Sequence, residues 1–262
     1  MALKQITQSV IEIAKETGAF IREQRKIFSS DQIETKGLND LVSYVDKTAE
    51  QQIVAALTDV LPGAGFVTEE KTINKTGERY NWIIDPLDGT TNFIHGLPVY
   101  SVSIALQEYD ELVAGVVYEI NQDECFYAWK GSPAYLNGNE IKVSNTPTVD
   151  KSLLATGFPY YDFEKQAAYI ELFSELMRSC HGLRRLGSAA VDLAYTACGR
   201  FEGFYEYNLN AWDVAAGIVI VRQAGGEVVN FKGGDECLHT RELLATNGRI
   251  TKELLQTIQK YM

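Results

Sequence analysis

The stretch Trp82-Ile83-Ile84-Asp85-Pro86-Leu87-Asp88-Gly89-Thr90-Thr91-Asn92-Phe93 joins an apolar run to a turn carrying two carboxylates three positions apart. A short apolar run bounded by Pro and Gly reads as a strand that ends in a turn. Pro86 restricts its own φ and Gly89 permits close backbone approach, so the turn is stiff. Two readings of it stand. In one it is a solvent-exposed Pro-Asp-Gly turn that needs no ligand. In the other, Asp85 and Asp88 converge on a hard cation with the Leu87 carbonyl as a third oxygen. Mg²⁺ suits such a set, because it takes few carboxylates and keeps several waters. Gly89 and Thr90 stand where a short helix can begin, and the leading N–H groups of a helix form an anion site.

Outward from this segment, helix and strand signals alternate. Residues 2–27 and 43–60 have amphipathic helical spacing, the second with Val45, Ala49, Ile53 and Leu57 on one face. Thr35 to Asp40 between them has loop or hairpin composition. Strand-like runs follow at 65–68, 80–84, 99–107, 112–119 and 124–129, and then a Gly/Pro/Asn turn region at 131–138. Beyond Pro147 the reading is strand 152–157, helix 162–178, helix 188–198, strand 202–207, helix 212–224, strands 226–230 and 242–246, and helix 249–261. Helices mixed with strands in both halves indicate sheets layered with helices, an α+β or α/β arrangement.

Composition removes several classes of function. The chain has 262 residues, 45% apolar and 23% charged, which is globular and neither disordered nor coiled-coil. Acids outnumber bases by 35 to 24, and no basic run is present to hold a phosphate backbone, so general nucleic-acid binding is not expected. Cys125, Cys180, Cys198 and Cys237 form no metal-binding spacing and read as reduced thiols. The scattered His95, His181 and His239 argue against a histidine-built metal site. Lys4, Glu12 and Lys15 interrupt any signal-peptide core, and no apolar run reaches membrane-spanning length. The expected location is the cytoplasm, and no membrane partner is expected.

Two further acidic features carry open readings. Glu69-Glu70 follows the run Gly65–Thr68, either as a solvated loop or as a carboxylate pair at a second strand end. Asn210-Ala211-Trp212-Asp213 opens the apolar run Val214–Val221, and Asp213 there serves a helix cap or a metal.

WIIDPLDGTTNF, with Glu69-Glu70 upstream and Trp212-Asp213-Val214-Ala215-Ala216-Gly217 continuing to Gly226 downstream, resembles the inositol monophosphatase family of lithium-sensitive, Mg²⁺-dependent phosphatases. The resemblance runs along essentially the whole chain. The ending Thr91-Asn92-Phe93 is more similar to the inositol monophosphatase branch than to bisphosphate nucleotidases or the main fructose bisphosphatases. It implies a layered αβαβα sandwich of the sugar-phosphatase type, in one domain over 1–262 with lobes of about 1–147 and 148–262, forming a homodimer. It implies two to three Mg²⁺ ions per site, with Mn²⁺ as a substitute: the first on Glu69, Asp85 and the Leu87 carbonyl, the second on Asp85, Asp88 and Asp213, a third near Glu69. Asp46 and Thr90 match the pair that orients and deprotonates the attacking water, with Glu69 beside them in the catalytic set. The Gly89 and Thr90 amides match the phosphate cradle. Arg184, Ala189, Glu206 and Asp213 match the alcohol-binding positions, Lys36 lies in a loop that approaches the phosphate, and Glu70 stands behind the ligands. The implied reaction is direct hydrolysis of inositol monophosphate by metal-activated water. The same chemistry on NADP(H) 2′-phosphate, fructose 1,6-bisphosphate or histidinol phosphate is the alternative. A non-catalytic partner-binding module on this fold is an alternative of another class.

Overall fold

The computed structural model describes residues 2–29, 33–37, 40–73, 75–159 and 163–262, with the backbone alone for 33–37 and 40–42. Helices α1 (Leu3–Ile27) and α2 (Tyr44–Val60) each bury one face, Ile6, Val10, Ala14 and Ile21 on the first and Val45, Ala49, Ile53 and Leu57 on the second. Between them lies the antiparallel hairpin of β1 (Ile33–Gly37) and β2 (Asp40–Ser43). Both helices pack on a seven-stranded sheet of β3 (Gly65–Thr68), β4 (Tyr80–Asp88), β5 (Ser101–Glu108), β6 (Glu111–Glu119), β7 (Glu124–Trp129), β8 (Ala134–Leu136) and β9 (Asn139–Ile141), in that spatial order. Only the β3–β4 pairing in this sheet is parallel. The short helix α3 (Thr90–His95) follows β4 directly.

The second sheet runs β11 (Gly182–Arg184), β10 (Leu153–Thr156), β12 (Gly203–Tyr207), β14 (Glu242–Thr246) and β13 (Glu227–Val229). Helices α5 (Ala189–Ala197) and α6 (Ala211–Gln223) lie between the two sheets, and α4 (Gln166–Ser179) and α7 (Thr251–Ile258) cover the far side. The layers are therefore α1/α2, sheet, α5/α6, sheet, α4/α7, an αβαβα sandwich.

Strand periodicity assigns residues to the layers, because successive side chains point to opposite faces. On β4, Trp82 and Ile84 join the core under α1 and α2, while Ile83 joins the core around α5 and α6. On β14, Leu243 and Ala245 face α5 and α6, and Leu244 faces α4 and α7. Helix α6 is buried all round from Val214 to Val221, as its uninterrupted apolar sequence requires between two sheets. Gly115 on β6 allows this helix to sit close: a Cβ there would lie 2.5 Å from the Ala216 carbonyl oxygen.

One expectation needs correction, and one strand was not expected. The region 131–138, read as turn, contains β8, whose Tyr135 stacks with Tyr127 and Trp129 at ring distances of 5.2 and 5.8 Å. Tertiary stacking there outweighs turn composition. Strand β11 had no signal, since three residues are too few for a period and its pairing partner β10 is distant in sequence. The four cysteines are free, in agreement with reduced thiols.

Replacing Gly115 with Val should destabilise the protein by about 1–3 kcal/mol through overpacking against α6. Thermal unfolding checks this, and an unchanged melting temperature would contradict the close seat of α6.

Candidate active site

In a regular strand, residues an odd number of positions apart point to opposite faces. Asp85 pairs with Ser103 and Asp88 with Ser101, so β4 spends three steps where β5 spends two. The extra residue falls at Pro86-Leu87, where proline cannot donate a ladder bond. This bulge brings Asp85 and Asp88 to the same face, toward α5 and α6. Asp85 is 2% exposed, so the reading of this turn as a solvent-exposed one does not hold.

Both aspartates line a cavity of about 440 Å³ between the sheets. Glu69, Glu70, Leu87, Gly89, Thr90, Ala189, Glu206 and Asp213 also line it. Glu69 is aligned with the end of β4 by its N–H donating to the Ile84 carbonyl at 3.3 Å. The Asp88 carboxylate accepts from Ser188 Oγ at 2.6 Å and from the Ala190 N–H at 2.8 Å, at the start of α5. Asp213, in the first turn of α6, accepts from the Asn210 N–H at 2.6 Å. Its capping role is therefore present, and it still faces the cavity.

Asp46 does not line the cavity but reaches it through Thr90. It is buried in the first turn of α2, where its Oδ2 accepts from the N–H and hydroxyl of the N-cap residue Ser43 at 2.8 and 2.7 Å. Thr90 Oγ1 donates to Asp46 Oδ1 at 2.9 Å and lies 3.0 Å from the Leu87 carbonyl oxygen. Gly89 precedes α3 with φ of 97°, a left-handed conformation that suits glycine. The first N–H groups of α3 have no intrahelical acceptors and open beside this threonine.

Crowding and burial shape the acidities. Asp85 is pushed well above the usual carboxylate range, first by burial and then by the charges of Glu69, Asp88 and Asp213. Burial raises Asp88 to about 6 against the bonds from Ser188 and Ala190. Burial and the Asp88 charge raise Asp213 to about 7. Glu206 is raised by burial, with the Arg185 guanidinium opposing. Asp46 is raised by burial against its bonds from Ser43 and Thr90.

Of the expected positions, Arg184 is displaced. Both Arg184 and Arg185 are exposed; Arg184 stands on β11 with Nη1 donating to the Leu183 carbonyl, and it is Arg185 that borders the cavity. Two adjacent arginines carry no sequence signal for which one borders a cavity at a strand end. Lys36 lies on β1, and its side chain is outside the described residues. Sequence reasoning also passed over Ser188 and Asp192. Ser188 is a helix N-cap whose hydroxyl accepts from the Val191 N–H, and Asp192 is a buried acid on the cavity wall. The signal for Asp192 was a single carboxylate inside the apolar run Ala189–Ala197.

The donor set fits a hard divalent cation. It is all oxygen, it combines carboxylates with the Leu87 carbonyl, and its acids resist ionisation together without positive charge nearby. Among the described residues no three acidic, histidine or cysteine side chains already close on one point. Carbonyl and water oxygens would therefore complete such a shell, as is usual for Mg²⁺. Glu69, Asp85, Asp88 and Asp213 are the side chains that would hold it.

The structure is thus a layered α/β protein with an acidic, oxygen-lined cavity where helix N-termini meet strand ends. The chain belongs to the inositol monophosphatase family, whose model matches residues 2–262. It is 36% identical to the inositol-1-monophosphatase of Mesorhizobium japonicum, covering 99% of this chain and 98% of that protein. It is 39% identical to the Nus factor SuhB of Escherichia coli K12, covering 95% and 94%. Among solved structures, the extragenic suppressor protein suhB from Bartonella henselae matches with a TM-score of 0.94 and 37% identity, covering 98% of this chain and 100% of that one. The Thermotoga maritima IMPase matches with a TM-score of 0.88 and 33% identity, covering 96% of each.

The acidities give a signed expectation. A carboxyl with a raised folded pKa favours the folded state at low pH, and that contribution is lost as pH rises from the unfolded value through about 6 for Asp88 and 7 for Asp213. A cation held by the ionised acids offsets that loss. Mg²⁺ should therefore raise the melting temperature of chelator-treated protein more at about pH 8 than at about pH 5. Equal shifts at both pH values would contradict the assignment.

Proposed function

We propose that this protein is a Mg²⁺-dependent phosphomonoesterase that hydrolyses inositol monophosphate to inositol and phosphate. The observation that carries the reading is the Thr90 hydroxyl, donating to buried Asp46 on one side and lining the acidic cavity on the other. A hydroxyl so placed offers its lone pairs to a water in the cavity. As that water attacks phosphorus, the P–O bond to the inositol breaks and the departing alkoxide takes a proton from solvent water. The attacking water's proton passes to Thr90 Oγ1 while the threonine proton passes to Asp46, whose raised pKa suits a temporary base. The Gly89 and Thr90 amides hold the phosphate oxygens at the start of α3. Glu206 accepts from a hydroxyl of the alcohol, and Ala189 and Arg185 shape the wall around it. Bound Mg²⁺ supplies the positive field that admits a phosphate dianion and acidifies water beside it. Asp85, Asp88, Asp213 and Glu69 hold and orient that charge.

The family match and the relatives named inositol-1-monophosphatase support this reading. With it come lithium sensitivity, Mn²⁺ as a substitute ion, a homodimer and one domain over the chain. The proposed location is the cytoplasm; among the described residues no helix is long and apolar enough to cross a membrane. Other relatives are named Nus factor SuhB, and a partner-binding role on the same fold is the second reading.

Phosphate release from inositol 1-phosphate, NADP, fructose 1,6-bisphosphate and histidinol phosphate, each with Mg²⁺ and with EDTA, tests the proposal. Metal-dependent turnover greatest on inositol 1-phosphate and suppressed by lithium is the expected result. Greater turnover on another ester would replace the substrate, and none on any would favour the partner-binding role. Thr90→Val should lower kcat by roughly 10²–10⁴-fold and Thr90→Ser should restore most of it. A fully active Thr90→Val would remove the hydroxyl from the mechanism.

A further inference from the structure

Helix α2 presents a second buried carboxylate one turn beyond Asp46. Residues four apart on a helix share a face, and Glu50 is, like Asp46, fully buried. Its Oε2 accepts from the Glu70 N–H at 2.7 Å. Its Oε1 accepts from the Thr72 N–H at 2.8 Å and from the Thr72 hydroxyl at 2.7 Å. Between those two amides Lys71 adopts φ of 55°, the left-handed region that a non-glycine residue enters only when held there. The two N–H groups flanking a left-handed residue form a small concavity for an anion, and here the anion is a side chain of the protein itself.

The clamp bears on Glu69. That residue's own N–H is tied to Ile84 of β4, and the next N–H in the chain is tied to Glu50. Glu69 is thus bracketed by two backbone bonds, with its side chain on the cavity wall beside Asp85. One face of one helix therefore fixes two separate segments of the site: Asp46 holds Thr90 after β4, and Glu50 holds the Glu69–Thr72 turn after β3.

We propose that Glu50 is a positioning residue that sets the divalent-cation affinity of the site by holding the Glu69 turn in register with Asp85. The inference rests on the reading of the cavity as a cation site. Glu50 does not line the cavity and touches no substrate; its effect passes through the Glu69 backbone. Substitutions of groups that orient metal ligands typically cost about 10–100-fold in affinity. Glu50→Gln keeps the volume and one acceptor oxygen but puts an NH₂ group where the other oxygen accepted, facing the Glu70 N–H or the Thr72 donors.

The test is Mn²⁺ binding to the full chain, followed by the electron paramagnetic resonance signal of the free ion, for wild type, Glu50→Gln and Thr72→Val. Mg²⁺ titrations of phosphate release run alongside. Glu50→Gln should weaken Mn²⁺ binding by about 10-fold or more, and Thr72→Val, which keeps both backbone bonds, by less. Saturating Mg²⁺ should return kcat of Glu50→Gln to within about 2-fold of wild type, a recovery that a merely structural role would not give. Wild-type Mn²⁺ affinity in Glu50→Gln overturns the inference, and so does a loss of kcat that no Mg²⁺ concentration restores. If Glu50→Gln fails to fold, Thr72→Val decides: weakened binding in a folded protein supports the role and unchanged binding overturns it. Absence of Mn²⁺ binding by the wild type overturns the cation reading of the cavity and this inference with it.

Discussion

The bonds from Ser188 Oγ and the Ala190 N–H to the Asp88 carboxylate join the end of β4 in one sheet to the start of α5 between the sheets. The same arrangement recurs around the cavity. Asp46 lies in the first turn of α2 and Asp213 in the first turn of α6, and α3 begins at Thr90. Helix N-termini carry partial positive charge and unpaired N–H groups, which stabilise carboxylates that would otherwise repel one another in a partly dry site. Four helices starting at one place therefore make so dense a cluster of acids tolerable. The raised pKa values of Asp85, Asp88 and Asp213 come first from burial, with repulsion from neighbouring carboxylates added at Asp85 and Asp213.

The layered architecture is what brings those helix starts together. Helices α5 and α6 run between two sheets, so α6 must be apolar on every side and must sit close to β6 at Gly115. Their N-terminal ends open on the cavity, which β3 and β4 reach from the first sheet and β12 from the second. The polar groups occupy the mouth and the apolar lengths occupy the middle. A packing change deep in the middle layer would thus shift the acids at its end, because close-packed interiors transmit strain.

Helix α2 plays a different part. Its apolar face holds it on the first sheet through Val45, Ala49, Ile53 and Leu57, and its first turns carry Asp46 and Glu50 to two neighbouring turns. A helix anchored by its own core is a rigid support for groups whose relative placement decides chemistry.

Much of this was legible in the amino-acid order. The periodicities of α1, α2 and α6 and the strand runs from 65 to 129 have local causes, and Asp85, Asp88, Glu69 and Asp213 stand at strand ends and a helix start that composition marks. Other features had no local cause. The side on which Asp88 emerges depends on a bulge that exists only because β5 pairs across it. That Arg185 rather than Arg184 borders the cavity depends on where β11 ends, and β11 forms only because β10 lies beside it. Glu50 reads as one more acid on a helix until the turn at 70–72 closes over it. The sequence by itself determined the elements and the identities of the acids, since helical and strand periods and turn residues act within a few positions. Only the tertiary structure decided which acids meet and which backbone groups hold them, because those distances are set by pairing and packing between segments far apart in the chain.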